Sequence, residues 1–236
     1  MLIDLHTHTS GISFCARKDF KGMIEDAKAV NLDGFVLTNH ICDYYPKEHG
    51  LDYKGFCEKY YDEYLKAKEY GDKNDFKVFF GIEVTMGFHP EAHLLIYGAD
   101  EKFLFNAPKL YSLSQKELFE IVDKNGYALV QGHPYRNNYH PLDTNYLHGV
   151  EVNCHPKHNN MLSELFGIAK QSGVCLTCGG DYHADVPYRP SCGVYLPDTV
   201  KTGKDIANFL RTTKSVKLRV HKPNEPDFFE KVYDLR

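Results

Sequence analysis

The chain has 236 residues, 42% hydrophobic and 25% charged, with a formal net charge of -4. This is the composition of an ordinary folded protein, expected here as a single domain over residues 1–236. The acidic balance offers no global field for nucleic acid, and no apolar run approaches the ~20 residues of a membrane span. The opening segment MLIDLHTHTS lacks the basic and apolar regions of an export signal, so a cytoplasmic protein with reduced cysteines is expected.

In chain order, a short apolar run predicts a strand at 2–5, and apolar residues at helical spacing predict a helix at 19–31. A strand follows at 34–38, then a long aromatic and charged helix at 53–70, then strands at 77–84 and 93–97. The helix at 114–124 opens with Ser114-x-x-Glu117, a capping-box pattern. Strands at 127–131 and 149–153, a helix at 162–172, a strand at 174–178, a helix at 203–211 and a late strand at 216–220 complete the set. The alternation predicts an α/β fold with a largely parallel sheet. No Gly-x-Gly-x-x-Gly follows the first strand, so a closed barrel is favoured over an open nucleotide-binding sheet. In such barrels functional side chains gather at the C-terminal ends of the strands.

Thirteen histidines beside 28 Lys and Arg are a heavy load, and histidine is the commonest metal ligand. Most of the informative ones sit where strands end. The first strand runs into His6 and His8, the second into His40, the third toward Glu83. The fifth ends at His133, and the strand at 174–178 leads to Asp181 and His183; His93 opens its own strand. In an extended segment His6 and His8 point to one side, as do Asp181 and His183, so each pair can grip one ion. Imidazole with carboxylate suits Zn, Mn or Fe, with Mg less favoured. Taken singly, each motif has a plain structural reading as a core histidine or a strand-end turn; the joint pattern points to a metal centre.

These segments resemble a known family. DLHTHT at 4–9, LTNH at 37–40, GIEV at 81–84, GHPYR at 132–136 and GGDYH at 179–183 are similar, in order and approximate spacing, to the PHP family of polymerase and histidinol phosphatase domains. The resemblance spans about three quarters of the chain. It implies a distorted (β/α)7 barrel with two or three divalent ions at the C-terminal ends of the strands, hydrolysing phosphate esters. His6, His8, Glu83 and Asp181 look like ligands of a first metal. Glu83, His93 and His133 look like those of a second, with Glu83 bridging, and His40 and His183 like part of a third site. Family members often supply a further His or Asp shortly after the His-x-His pair; here the nearest candidate is Cys15, whose thiolate would favour Zn, unless it is a small packing residue.

The implied reaction is attack of a metal-bridging hydroxide on a small phosphate monoester, with histidinol phosphate among the candidate substrates. His183 or His40, where not held as a metal ligand, is expected to protonate the leaving oxygen, and Arg17 and Arg136 to hold phosphate oxygens, with Arg189 a third candidate. Competing readings are a phosphodiesterase or nuclease, a non-catalytic metal-bound domain, and an amidohydrolase barrel, which also opens with His-x-His. No nucleic-acid or membrane partner is expected, and the oligomeric state is not legible. His155 follows the strand at 149–153 without matching a usual ligand. His49, His89, His140, His148, His158 and His221 read as surface residues. Cys175-x-x-Cys178 reads as buried rather than redox-active. The aromatic stretch 44–70 reads as a helix packing its rings on the barrel, with a cap over the mouth as the alternative. Residues 201–236 read as a final helix and strand closing the barrel.

Overall fold

The first strand, β1 (Leu2–Thr7), is buried along its whole length, so its polar side chains Asp4, His6 and Thr7 must find partners inside the protein. In the computed structural model, which describes residues 1–156, 160–221 and 227–235, β2 (Gly34–Leu37) pairs parallel with β1. The short β3 (His40–Ile41) and β2 both pair parallel with β4 (Lys77–Thr85). β5 (His93–Tyr97) then runs antiparallel to β4 and to β6 (Ala128–Gln131). β7 (Gly149–Asn153) and β8 (Cys175–Gly179) continue in parallel. Past β8 the chain returns to β1: Thr7 and Tyr182 form a parallel bridge, and the His8 N–H donates to the Tyr182 carbonyl at 3.3 Å. The result is a nearly closed barrel.

The helices are α1 (Phe20–Ala29), α2 (Tyr45–Glu48), α3 (Tyr53–Lys73), α4 (Glu101–Asn106), α5 (Gln115–Lys124), α6 (Leu162–Ser172) and α7 (Gly203–Thr212). The starts of α1, α3, α4, α5 and α7 are capped by side chains. Asp19, Asp52 and Asp100 accept from the N–H groups of Gly22, Gly55 and Phe103 at 3.0, 2.7 and 3.0 Å. Ser114 with Glu117 and Thr202 with Asp205 form capping boxes. Each cap satisfies a donor that the first helical turn leaves open. None of the described helices is long and apolar enough to cross a membrane.

The sheet is mixed, which corrects the expectation of a largely parallel one. The connection from β4 to β5 covers only 86–92, where the Met86 N–H donates to the Ala92 carbonyl at 2.9 Å. A link that short can join antiparallel neighbours but leaves no room for a crossover helix. The late segment also differs from its expectation. β9 (Gly193–Tyr195), β10 (Ser215–His221) and β11 (Phe228–Asp234) form an antiparallel extension on the outer side of β1; the ring closes instead between β8 and β1. β9 approaches β1 so closely that a Cβ on Gly193, at φ 153°, would lie 2.4 Å from the Ile3 carbonyl oxygen, which is why glycine stands there.

The aromatic stretch divides between its two readings. On α3, Tyr60 is fully buried and its hydroxyl donates to the Asn39 and Gly81 carbonyls at 2.5 and 3.1 Å. Tyr61 and Tyr64 pack on Phe80 of β4. Tyr44 and Tyr45, ahead of α3, reach the mouth of the barrel instead.

Candidate metal centre

Glu83 on β4 is completely buried, yet it is surrounded by imidazoles rather than by apolar groups. Ring nitrogens of His6 and His8 lie 3.2 and 3.3 Å from its oxygens, His40 and His93 at 2.7 Å each, and His133 at 3.2 Å. Asp181 Oδ1 lies 3.3 Å from His6 and 3.1 Å from His8. Three overlapping groups result: His6, His8, Glu83 and Asp181; His40, Glu83 and His93; and His8, His40 and His183. Within each, the donor atoms lie within 4.8 Å of one another. These come from the ends of β1 and β4, from the short β3 just past β2, from the start of β5, and from the turns after β6 and β8, close to the strand-end placement expected.

The donor set fits divalent cations. His6 Nε2 and Glu83 Oε2 are buried without a hydrogen bond of acceptable geometry, although opposing nitrogens and oxygens converge on both. Buried polar atoms are ordinarily paired, and converging lone pairs of N and O donors are what Zn, Mn or Fe would satisfy. The outer ring nitrogens are tied to protein. His6 Nδ1 faces Glu151 at 2.9 Å, His93 Nε2 donates to the Pro90 carbonyl at 3.1 Å, and His183 Nδ1 donates to the Asp181 carbonyl at 2.7 Å. Such partners fix the tautomer and turn the other nitrogen inward.

Charge in this pocket is set by neighbours overriding burial. Burial alone would raise the Glu83 carboxyl; the facing histidines hold it well below the usual carboxylate range. Burial pushes His133 down to about 4. For His40, burial works downward, but Glu83 wins and carries it up to about 10. The backbone is strained at two of the donors: His133 has φ 29° and Asp181 φ 47°. Left-handed backbone at residues other than glycine costs about 1–3 kcal/mol each and collects at functional sites.

A cleft of about 480 Å³ opens over the cluster. Its walls include Cys15, Tyr44, Tyr45, Arg136, His155 and Asp185, with His40, His93, Asp181 and His183 below. Cys15 is within hydrogen-bonding reach of His183 and His40; burial raises its thiol, but these two bonds win and bring it down to about 5. Arg136 stands at the rim, paired with Glu91 at 3.2 Å. Arg17 is exposed and does not line the cleft; its main-chain N–H donates to the His183 carbonyl at 2.8 Å. Arg189 is buried away from the mouth, bonded to Asp4 at 2.6 Å and Thr7 at 2.7 Å and lying over Tyr182. His155 does reach the cleft, 3.1 Å from Asp185.

Among the histidines expected at the surface, His140 is exposed, while His49, His89 and His148 are half-buried. His221 is a correction: it is only 3% exposed, its ring lying against Tyr188 at 5.4 Å and its Nδ1 accepting the Ser191 N–H at 3.3 Å. His158 lies outside the described residues. Sequence reasoning missed Glu151 and Asp4. Glu151 is an acidic residue in the otherwise apolar run of β7, and that contrast was the available signal. Asp4 accepts the N–H groups of His6 and Gly180 at 3.0 and 2.9 Å, tying the first motif to the last.

Fold and cluster together define an α/β barrel with a histidine- and carboxylate-lined mouth. No family model and no curated protein matches the chain. Solved structures do. A two-domain protein from Bacteroides vulgatus ATCC 8482, containing a region predicted to be a PHP-like metal-dependent phosphoesterase, superposes with a TM-score of 0.66 at 17% identity, over 94% of this chain and 65% of that one. The chain therefore spans less than two thirds of that protein. A protein from Bifidobacterium adolescentis ATCC 15703, named as a candidate metal-dependent phosphoesterase, gives 0.54 at 16% identity over 89% and 96% of the two chains. An amidohydrolase from Chromobacterium violaceum, with bound sulfate and no metal, gives 0.50 at 14% over 88% and 96%. The chain thus has the PHP-like barrel fold, as its motifs led one to expect.

Proposed function

We propose that the protein is a metal-dependent phosphoesterase acting on a small phosphate monoester. The carrying observation is the set of imidazoles and carboxylates converging on Glu83 beneath an open cleft. His6, His8, Glu83 and Asp181 would hold one divalent ion, Glu83 with His93 and His133 a second, and His8, His40 and His183 a third, with Cys15 beside it favouring Zn there. Ions in those positions would neutralise phosphoryl charge and lower the pKa of water.

The remaining work falls to the chain's own groups. Arg136 at the rim is suited to hold non-bridging phosphate oxygens. Where the third ion is not bound, His183, its Nδ1–H fixed on the Asp181 carbonyl, is oriented to give a proton from Nε2 to the leaving oxygen, and His40 is the alternative donor; with that ion bound, both are ligands and neither is the acid. Tyr44 and Tyr45 would flank the organic part of the substrate. A small ester is favoured over nucleic acid because the described cleft lining carries Arg136 as its one arginine, no lysine, and the carboxylates Glu91, Asp181 and Asp185. A nucleic-acid strand needs a track of cations.

The test is phosphate release from a panel of monoesters, histidinol phosphate included, by Mn- or Zn-loaded protein against a chelated control. Diester and amide substrates run alongside. Chelator-sensitive release from monoesters is the expected result. Turnover of the diester or the amide alone would replace it with a nuclease or amidohydrolase reading. Inertness of metal-loaded protein toward all three would mean a non-catalytic metal domain.

A further inference from the structure

A second cluster of soft ligands lies away from the cleft. Cys154, just past β7, Cys178 on β8 and Cys192, just before β9, are 4%, 0% and 0% exposed, and their sulfurs lie within 4.8 Å of one another. Cys154 and Cys178 are 3.5 Å apart at sulfur. Strand alternation separates this cluster from the first. Glu151 and Gly179 face the barrel interior, where a Cβ on Gly179 would meet Glu151 and His6; Val152, Cys154 and Cys178 fall on the outer face. The same rule explains Cys175-x-x-Cys178: three residues apart on a strand, the two thiols face opposite ways, and Cys178 finds its partners on other segments.

We infer that Cys154, Cys178 and Cys192 form a thiolate site for one structural zinc ion, pinning β7, β8 and the approach to β9 together behind the catalytic mouth. Tetrahedral zinc with Zn–S bonds near 2.3 Å sets its sulfurs about 3.8 Å apart, so these thiols need only small rotations. Three buried thiols packed for volume alone would have no reason to converge from three separate segments. The main-chain N–H of His221 is bonded to the Cys154 sulfur, the kind of donor that stabilises a thiolate. The His221 ring borders the cluster and is the candidate for the fourth position. Binding would exchange three S–H bonds for three zinc–sulfur bonds and release three protons to solvent. Cys178 lies three residues before Asp181, and Cys154 directly precedes His155, so the ion would brace two groups of the cleft from behind.

The test uses the full chain, reduced, loaded with Zn²⁺ and dialysed, with zinc counted per chain by mass spectrometry. The His8→Ala/Glu83→Ala protein, which loses a ligand from each of the three mouth sets, should keep one tightly held zinc, and Cys178→Ser/Cys192→Ser should hold one fewer than the parent. Should the cysteine variants not fold, Co²⁺ alone is added to Cys15→Ser protein, which removes the thiol at the cleft. A thiolate-to-cobalt charge-transfer band is expected there. Absence of that band, a zinc count unchanged in the cysteine variants, or a Cys154–Cys178 disulfide in the native protein would overturn the inference.

Discussion

Glu151 and His6 are 2.9 Å apart at Oε1 and Nδ1, both completely buried. The second carboxylate oxygen of Glu151 accepts the His133 main-chain N–H at 2.9 Å, so one side chain on β7 orients donors from β1 and from the turn after β6. Glu151→Gln keeps the shape but weakens the grip on the His6 ring. Metal affinity should fall about 10–100-fold, the usual cost of losing such a partner, with little change in thermal midpoint of the metal-free protein. Metal titration of wild type and variant measures this; equal affinities would mean that Glu151 does not orient His6.

Arg136 should contribute to substrate binding more than to chemistry. Its ion pair with Glu91 is partly exposed and adds little stability by itself. Arg136→Ala is expected to raise KM about tenfold, the equivalent of one charge-assisted hydrogen bond of about 1.4 kcal/mol, while kcat changes less. Steady-state kinetics on the best monoester decide it, and an unchanged KM would remove Arg136 from the phosphate site.

Tyr60 links α3 to the floor of the site through its two carbonyl acceptors at Asn39 and Gly81. Tyr60→Phe leaves the ring in place but removes the one hydroxyl proton that the two buried carbonyls share, the Asn39 carbonyl keeping the Glu83 N–H at 3.1 Å. The expected loss is about 1–3 kcal/mol, or about 2–4 °C of thermal midpoint per kcal/mol in a chain of this size. Calorimetry of the metal-free protein reads it directly.

The β10–β11 hairpin should carry an acid-sensitive increment of stability. Hydrogen bonds from Lys217, then Tyr195 and Arg219, hold Glu230 down to about 2 from its usual 4.5. A depressed carboxyl stabilises the fold where it is ionised in both states. The increment is therefore full above about pH 4.5 and is lost as pH falls toward 2. Urea midpoints across that window should drop less steeply for Glu230→Gln than for wild type; parallel curves would show that the pair network is screened by solvent.

Much of the site was legible because its donors announce themselves locally. His6 and His8 follow an apolar run, His133 and Asp181 lie in turns just past strands, and the capped helices begin where Asp19, Ser114 and their like stand. These signals need only a few neighbouring residues. The sheet's direction at β5 was readable in principle from the short link before it, which leaves no room for a crossover helix.

What the sequence determined by itself was therefore the succession of strands and helices and the identity of the donors that strand ends would deliver to one mouth. The tertiary structure alone decided that Arg189 turns inward to Asp4, that Glu151 braces His6, that His221 packs against Tyr188 and Ser191, and that Cys154, Cys178 and Cys192 meet behind the wall. Each of those pairings joins residues far apart in the chain. Whether they touch depends on strand register and on which face of the sheet a side chain takes, and a one-residue shift reverses that face; no local pattern in the amino acids encodes it.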